Sequence, residues 1–178
     1  MPLITKVKIS SITNLSDARY CAGMGVQYLG FNFLKNHESY VTPEMYRELT
    51  SWISGPEFIG EFEDADLSYI REFLPGVQID WIEVTRPDNL HELSLLGMPV
   101  ILKLDLAGYS SLSGLESDLN FAGSMVELFL LEYSRPGALK QDNIFRLAKN
   151  YPVLLGFGFN RENIRKMIGD TGIRGIAM

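Results

Sequence analysis

Short apolar, strand-like runs alternate with helix signals along the whole of this chain, and that alternation narrows its fold more than any other feature. Strands joined through helices come out parallel, with right-handed crossovers. The runs fall at residues 3–10 (LITKVKIS), 27–33, 58–62, 80–85, 99–105, 126–132, 152–156 and 172–177. Helix signals separate them. Asn14 or Ser16 caps a helix over 17–24, which stops at Gly25. Thr42-Pro43-Glu44 pairs a capping residue with proline at the first helical position, and that helix runs toward Trp52. Further helices are predicted over 66–73, 87–96, 112–121 and 141–150, and over 161–168 behind Asn160. Eight strands and seven helices predict an α/β chain whose parallel strands are covered by helices. The expected fold is one compact (β/α)8 TIM barrel over residues 1–178, lacking or truncated at the eighth helix. Such barrels typically need about 250 residues, so the loops here must be short. The rival, an open dinucleotide-binding sheet, requires a glycine fingerprint after its first strand, and Ser10-Ser11-Ile12-Thr13 has none.

Composition excludes several classes. The 178 residues carry 22 Asp and Glu against 16 Lys and Arg, a net charge of −6 without a basic run, which argues against a nucleic-acid partner. Cys21 is the only cysteine, so no internal disulfide forms, and two histidines, His37 and His91, make a histidine metal centre improbable. No apolar stretch approaches the roughly 20 residues of a membrane span, and the first residues lack a signal-peptide core, so a cytoplasmic protein is expected. The absent eighth helix predicts an apolar groove beside the first and last strands. A partner chain in a homo-oligomer, residues 1–5, or further sequence would cover it.

The chemistry-bearing residues cluster at predicted strand ends, where barrels of this type carry their sites. Ser10, Asn32, Glu83, Asp105 and Glu132 should meet at the C-terminal mouth. Alternation places Lys8 with Ser10, Glu83 with Thr85, and Lys103 with Asp105 on common faces. If those faces point inward, Lys8, Glu83, Lys103, Asp105 and Glu132 form a charged interior that must be internally paired. Gly156, Gly158 and Asn160 precede a helix start, where backbone N–H groups hold a phosphate or simply close a turn, and Arg135 adds a cation nearby. The acidic run Glu61, Glu63, Asp64 and Asp66 reads as helix capping and solvation. Cys21, Trp52 and Trp81 read as packing residues.

Lys8 to Asn14 with Asp17-Ala18, Gly25-Val26 leading into Leu29 to Phe33, and Tyr40-Val41-Thr42-Pro43-Glu44 resemble the opening of the phosphoribosylanthranilate isomerase family. Pro152 to Gly156, Gly158-Phe159-Asn160 and Glu162-Asn163-Ile164 resemble that family's seventh strand and helix. The resemblance implies a cofactor-free Amadori rearrangement in tryptophan biosynthesis, in which an aminoaldose phosphate becomes an aminoketose phosphate. It is an intramolecular aldose–ketose isomerisation needing one acid and one base. The family's base, a cysteine, falls on Ser10, and the glycine after it on Ser11. The acid falls on Glu132, with Asp105 or Glu83 available as a substitute base. The arginine that meets the substrate carboxylate falls near Ser39. The phosphate loops fall on Ser134 to Ala138, with Arg135, and on Gly156-Phe157-Gly158. Asn32, Glu83, Arg135, Gly156 and Gly158 are thus the expected contacts to a small phosphorylated metabolite. These alterations leave two further readings beside the isomerase: a catalytically impaired homologue that binds or interacts, and a barrel acting on another phosphorylated metabolite.

Overall fold

A computed structural model describes residues 3–178, so Met1 and Pro2 of the segment expected to cover the groove lie outside the described residues. Eight parallel strands close in chain order, β1 against β8. They are β1 (Lys6–Ile9), β2 (Tyr28–Asn32), β3 (Glu57–Glu61), β4 (Trp81–Val84), β5 (Val100–Asp105), β6 (Leu128–Glu132), β7 (Val153–Leu155) and β8 (Gly175–Ala177). Seven α-helices alternate with them: α1 (Leu15–Gly23), α2 (Pro43–Thr50), α3 (Leu67–Phe73), α4 (Leu90–Ser94), α5 (Leu112–Ala122), α6 (Gln141–Ala148) and α7 (Ile164–Thr171). The expected fold is therefore the observed one, with no eighth α-helix after β8 among the described residues.

Side-chain caps explain three of the helix starts. Asn14 accepts a hydrogen bond from the Asp17 N–H at 2.9 Å, Thr42 from Met45 at 3.2 Å and Ser111 from Gly114 at 3.2 Å. Each satisfies an N–H left over at a helix start. Two helices start later than the sequence predicts. The helix expected over 87–96 is reduced to α4, because Pro87 and Asp88 form a turn in which the Leu90 N–H donates to Pro87. The helix expected from Arg161 begins at Ile164, because Asn160 captures the N–H groups of Glu162 and Asn163 at 2.9 Å and closes a turn first.

The core has two layers. Inside the barrel, Tyr28, Ile59, Ile101, Leu128, Leu130 and Leu154 pack on one another. Outside, residues of opposite parity such as Phe31, Val84, Leu102, Phe129 and Leu155 pack against the helices. The barrel floor is polar but paired. Lys6 donates to the Tyr28 hydroxyl at 2.9 Å, and Trp81 Nε1 donates to Glu57 at 2.6 Å. At Gly175 a Cβ would meet the Lys6 carbonyl and the Leu154 side chain, so a glycine is what lets β8 close on β1.

Beside the closing strands the outward-facing Val7 and Ile176 are covered, only 7% and 3% exposed, while Leu3, Ile4 and Met178 are exposed. One expectation is corrected: Trp52 does not pack in the core; it is 66% exposed, with the Arg19 guanidinium 5.9 Å from its ring centre. Trp81, by contrast, packs edge-to-face on Tyr28 with ring centres 5.6 Å apart.

Candidate active site

Lys8 comes up from β1 into the barrel interior and is fully buried. Its ammonium donates to Glu61 Oε1 at 2.5 Å and to Ser10 Oγ at 2.7 Å, and lies 2.9 Å from Glu83 Oε2. That last contact is an ion pair off the hydrogen-bonding axis, leaving the oxygen without a hydrogen-bond partner among the described residues. Glu61 also receives the Ser11 N–H at 3.0 Å and its hydroxyl at 3.3 Å. Burial works against a charge on Lys8, but the carboxylates of Glu61 and Glu83 outweigh it and hold the ammonium above its ordinary range. Burial likewise works against Glu61, yet Lys8 and the Ser11 N–H keep its carboxyl below the usual value. Burial dominates at Glu83. With the charge of Glu61 added, and only partly opposed by Lys8, it is pushed up to about 7.

A second cluster sits closer to solvent. Lys103 from β5 lies 3.1 Å from Glu132 Oε1, at the end of β6, and 3.4 Å from Glu63 Oε1, beyond β3. Their side chains are 21%, 32% and 22% exposed, so this cluster opens onto the mouth. Partial burial opposes the charge on Lys103, but Glu63, Glu132 and Glu83 together raise it.

Among the described residues, the two non-glycine residues with positive φ both belong to these clusters: Ser11 at 54° and Glu63 at 50°. Strained backbone of this kind persists only where its surroundings hold it. Ser11 is held by Glu61, and Glu63 by its own carbonyl, which accepts from the Thr85 N–H at 2.9 Å.

The charged interior expected from alternation thus forms, with two corrections. Glu61 belongs to it; the acidic run 61–66 is not all solvated capping, and Asp66 makes no side-chain cap bond. Asp105 does not belong to it. Its carboxylate accepts from Ser134 N at 3.1 Å, Ser134 Oγ at 2.5 Å and Ala107 N at 3.0 Å, tying the β5 and β6 loops together. Partial burial opposes ionisation there, but the Ser134 and Ala107 hydrogen bonds hold the carboxyl below its usual range. Glu61 was legible in principle, since it shares parity with the inward-facing Ile59.

The remaining residues lie around the rim. Asn32 is buried; its Oδ1 accepts from the Leu34 N–H at 2.9 Å, while its Nδ2 has no partner among the described residues. Arg135 lines a cavity of about 490 Å³ with Tyr133, Gly137, Gln141, Phe157 and Gly158. The β7–α7 turn already uses several of its N–H groups: Gly156 donates to the Leu131 carbonyl at 2.8 Å, and Asn160 to the Asn163 side chain at 2.7 Å. Near Ser39, the nearby cation is Lys35, whose ammonium lies 6.0 Å from the Tyr69 ring centre. His37 accepts from the Ser39 N–H at 3.1 Å, and neither it nor His91 joins a nucleophile.

No family model matches the chain. Its sequence is 27% identical over 173 residues to the N-(5'-phosphoribosyl)anthranilate isomerase of Thermotoga maritima, covering 93% of this chain and 82% of that one. The chain is thus similar along most of its length to phosphoribosylanthranilate isomerases. Solved isomerases share its fold. The Thermus thermophilus enzyme superposes with a TM-score of 0.78 at 20% identity, covering 97% of this chain and 86% of that one. Another, in complex with reduced 1-(o-carboxyphenylamino)-1-deoxyribulose 5-phosphate, superposes with a TM-score of 0.76 at 22% identity, covering 98% and 87%. The protein is thus a phosphoribosylanthranilate isomerase-like barrel, and among the described residues no helix is long and apolar enough to cross a membrane.

Proposed function

We propose that this barrel is an aldose–ketose isomerase homologue for a small phosphorylated metabolite, with little activity on N-(5'-phosphoribosyl)anthranilate. One observation carries the reading. At the end of β1, where the family resemblance calls for a thiolate base, Ser10 accepts a hydrogen bond from an ammonium that two carboxylates keep charged. A hydroxyl in that setting is turned toward donating a proton, and Lys8 cannot activate it, because a general base must itself be unprotonated. Glu132 keeps a carboxyl at the acid position, half-buried and open to the mouth. Arg135, beside the 490 Å³ cavity, supplies a cation for the phosphate end. Asn32 keeps a buried amide donor with no partner among the described residues. The committed N–H groups of the β7–α7 turn favour weak phosphate binding there.

A steady-state assay on N-(5'-phosphoribosyl)anthranilate tests this, with Ser10→Cys and Glu132→Ala alongside. Loss of a positioned base costs about 10²–10⁴ in rate. The natural chain should therefore fall well below an efficiency of about 10⁴ M⁻¹s⁻¹, the lower end of ordinary enzymes. Ser10→Cys should gain activity, because the Lys8 ammonium beside the new sulfur favours its thiolate. A wild-type value at or above that threshold overturns the reading, and full activity in Glu132→Ala removes Glu132 from the chemistry.

A further inference from the structure

The proton chemistry left in this barrel has an acid and a base in direct contact, and neither is on β1. Lys103 Nζ and Glu132 Oε1 are 3.1 Å apart at the open mouth. Lys8, the other interior lysine beside carboxylates, is sealed at 0% exposure, donating to Ser10 and Glu61 and ion-paired with Glu83. Lys103 also stands between two carboxylates, Glu132 and Glu63, but its side chain is 21% exposed and accessible from the mouth. A reacting sugar at the mouth would meet an ammonium and a carboxylate together.

We infer that Lys103 is the general acid and Glu132 the general base of the rearrangement this site supports, an assignment that rests on the isomerase reading. The steps balance without any other group. Lys103 gives a proton to the ring oxygen as the bond from C1 to that oxygen breaks, and the amine nitrogen's lone pair forms the C=N bond. Glu132 then takes the proton from C2. The C–H electron pair becomes the C1=C2 bond, and the C=N pair returns to nitrogen. Finally the enol hydroxyl proton passes to the neutral Lys103 amine while Glu132 returns its proton to C1, leaving the ketone and both residues as they began. The raised affinity of Lys103 for its proton keeps the acid loaded at neutral pH. It also makes Lys103 a weak acid, since the most efficient general acid has a pKa near the working pH, and this agrees with a slow enzyme.

The experiment follows deuterium uptake from D2O at C1 of 1-(o-carboxyphenylamino)-1-deoxyribulose 5-phosphate, the reverse proton transfer, together with kcat in the forward direction. Lys103→Met should slow both by at least about 10-fold. Lys103→Arg keeps a cation beside Glu132 but holds its proton too tightly to give it up, so it should stay as slow as the methionine variant. Ethylamine added to Lys103→Ala should restore part of the rate. If Lys103→Arg matches the natural chain, Lys103 only positions Glu132 and the inference fails. No exchange and no turnover in the natural chain also overturns it. Retained binding of the reduced aminoketose phosphate would then confine the failure to this acid–base pair, whereas lost binding would remove the isomerase reading with it.

Discussion

Replacing Lys8 by methionine should be among the most damaging single changes in the molecule. The side chain is 0% exposed and faces two carboxylates at 2.5 and 2.9 Å. Methionine fills similar space but leaves both acids buried without a cation. Breaking a buried pair by removing one partner costs about 3–5 kcal/mol. The two acids differ in how they respond. Glu83 already sits near pH 7 and sheds its charge readily. Glu61, held low by Lys8 and Ser11, must be lifted much further, so most of the penalty falls on it. A cost of about 4 kcal/mol lowers Tm by roughly 8–16 °C in a chain of this size. Proton uptake by both acids offsets part of that at low pH, so urea unfolding should show a smaller penalty at pH 5 than at pH 8. Lys8→Met combined with Glu61→Gln and Glu83→Gln should recover most of the loss, because glutamine at 61 can still accept the two Ser11 hydrogen bonds. A penalty under about 1 kcal/mol at pH 8, far below that of a broken buried pair, would refute the reasoning, as would a penalty independent of pH.

Two further outcomes are expected. Glu83 keeps its proton in the fold up to about pH 7, whereas the unfolded chain releases it near 4.5, so its favourable contribution is complete below about pH 4.5 and is lost as pH rises through 7. Glu83→Gln should flatten the stability profile across that window, by an amount on the order of 3 kcal/mol; urea titrations at pH 5 and 8 check it, and profiles parallel to the natural chain's would contradict it. Gly175→Ala should destabilise the barrel by about 1–3 kcal/mol, because the added methyl meets the Lys6 carbonyl, which is backbone and cannot swing away; thermal unfolding tests it, and an unchanged Tm would show that β8 has room to shift.

The sequence by itself determined the alternation of elements and which side chains share a face. Helix caps such as Asn14 and Thr42, and period-two patterns such as Lys8 with Ser10, involve residues within one turn or one strand, so local chemistry settles them. The family likeness was legible for the same reason, since its motifs are strand ends and caps. Which of the inward-facing groups pair with one another across strands was not legible. Asp105 and Lys103 share a face of β5, yet Lys103 reaches Glu63 and Glu132, while Asp105 turns to the Ser134 loop. Glu61 lies in an acidic run that looks solvated, yet the pairing of β3 with β2 and β4 carries it inside, opposite Asn32 and Glu83. The register between neighbouring strands depends on closure of all eight into one barrel, which no single stretch of sequence encodes. Only that closure brings Lys8 to its two carboxylates and Lys103 to Glu132, and burial in the closed barrel then decides which of them hold their protons.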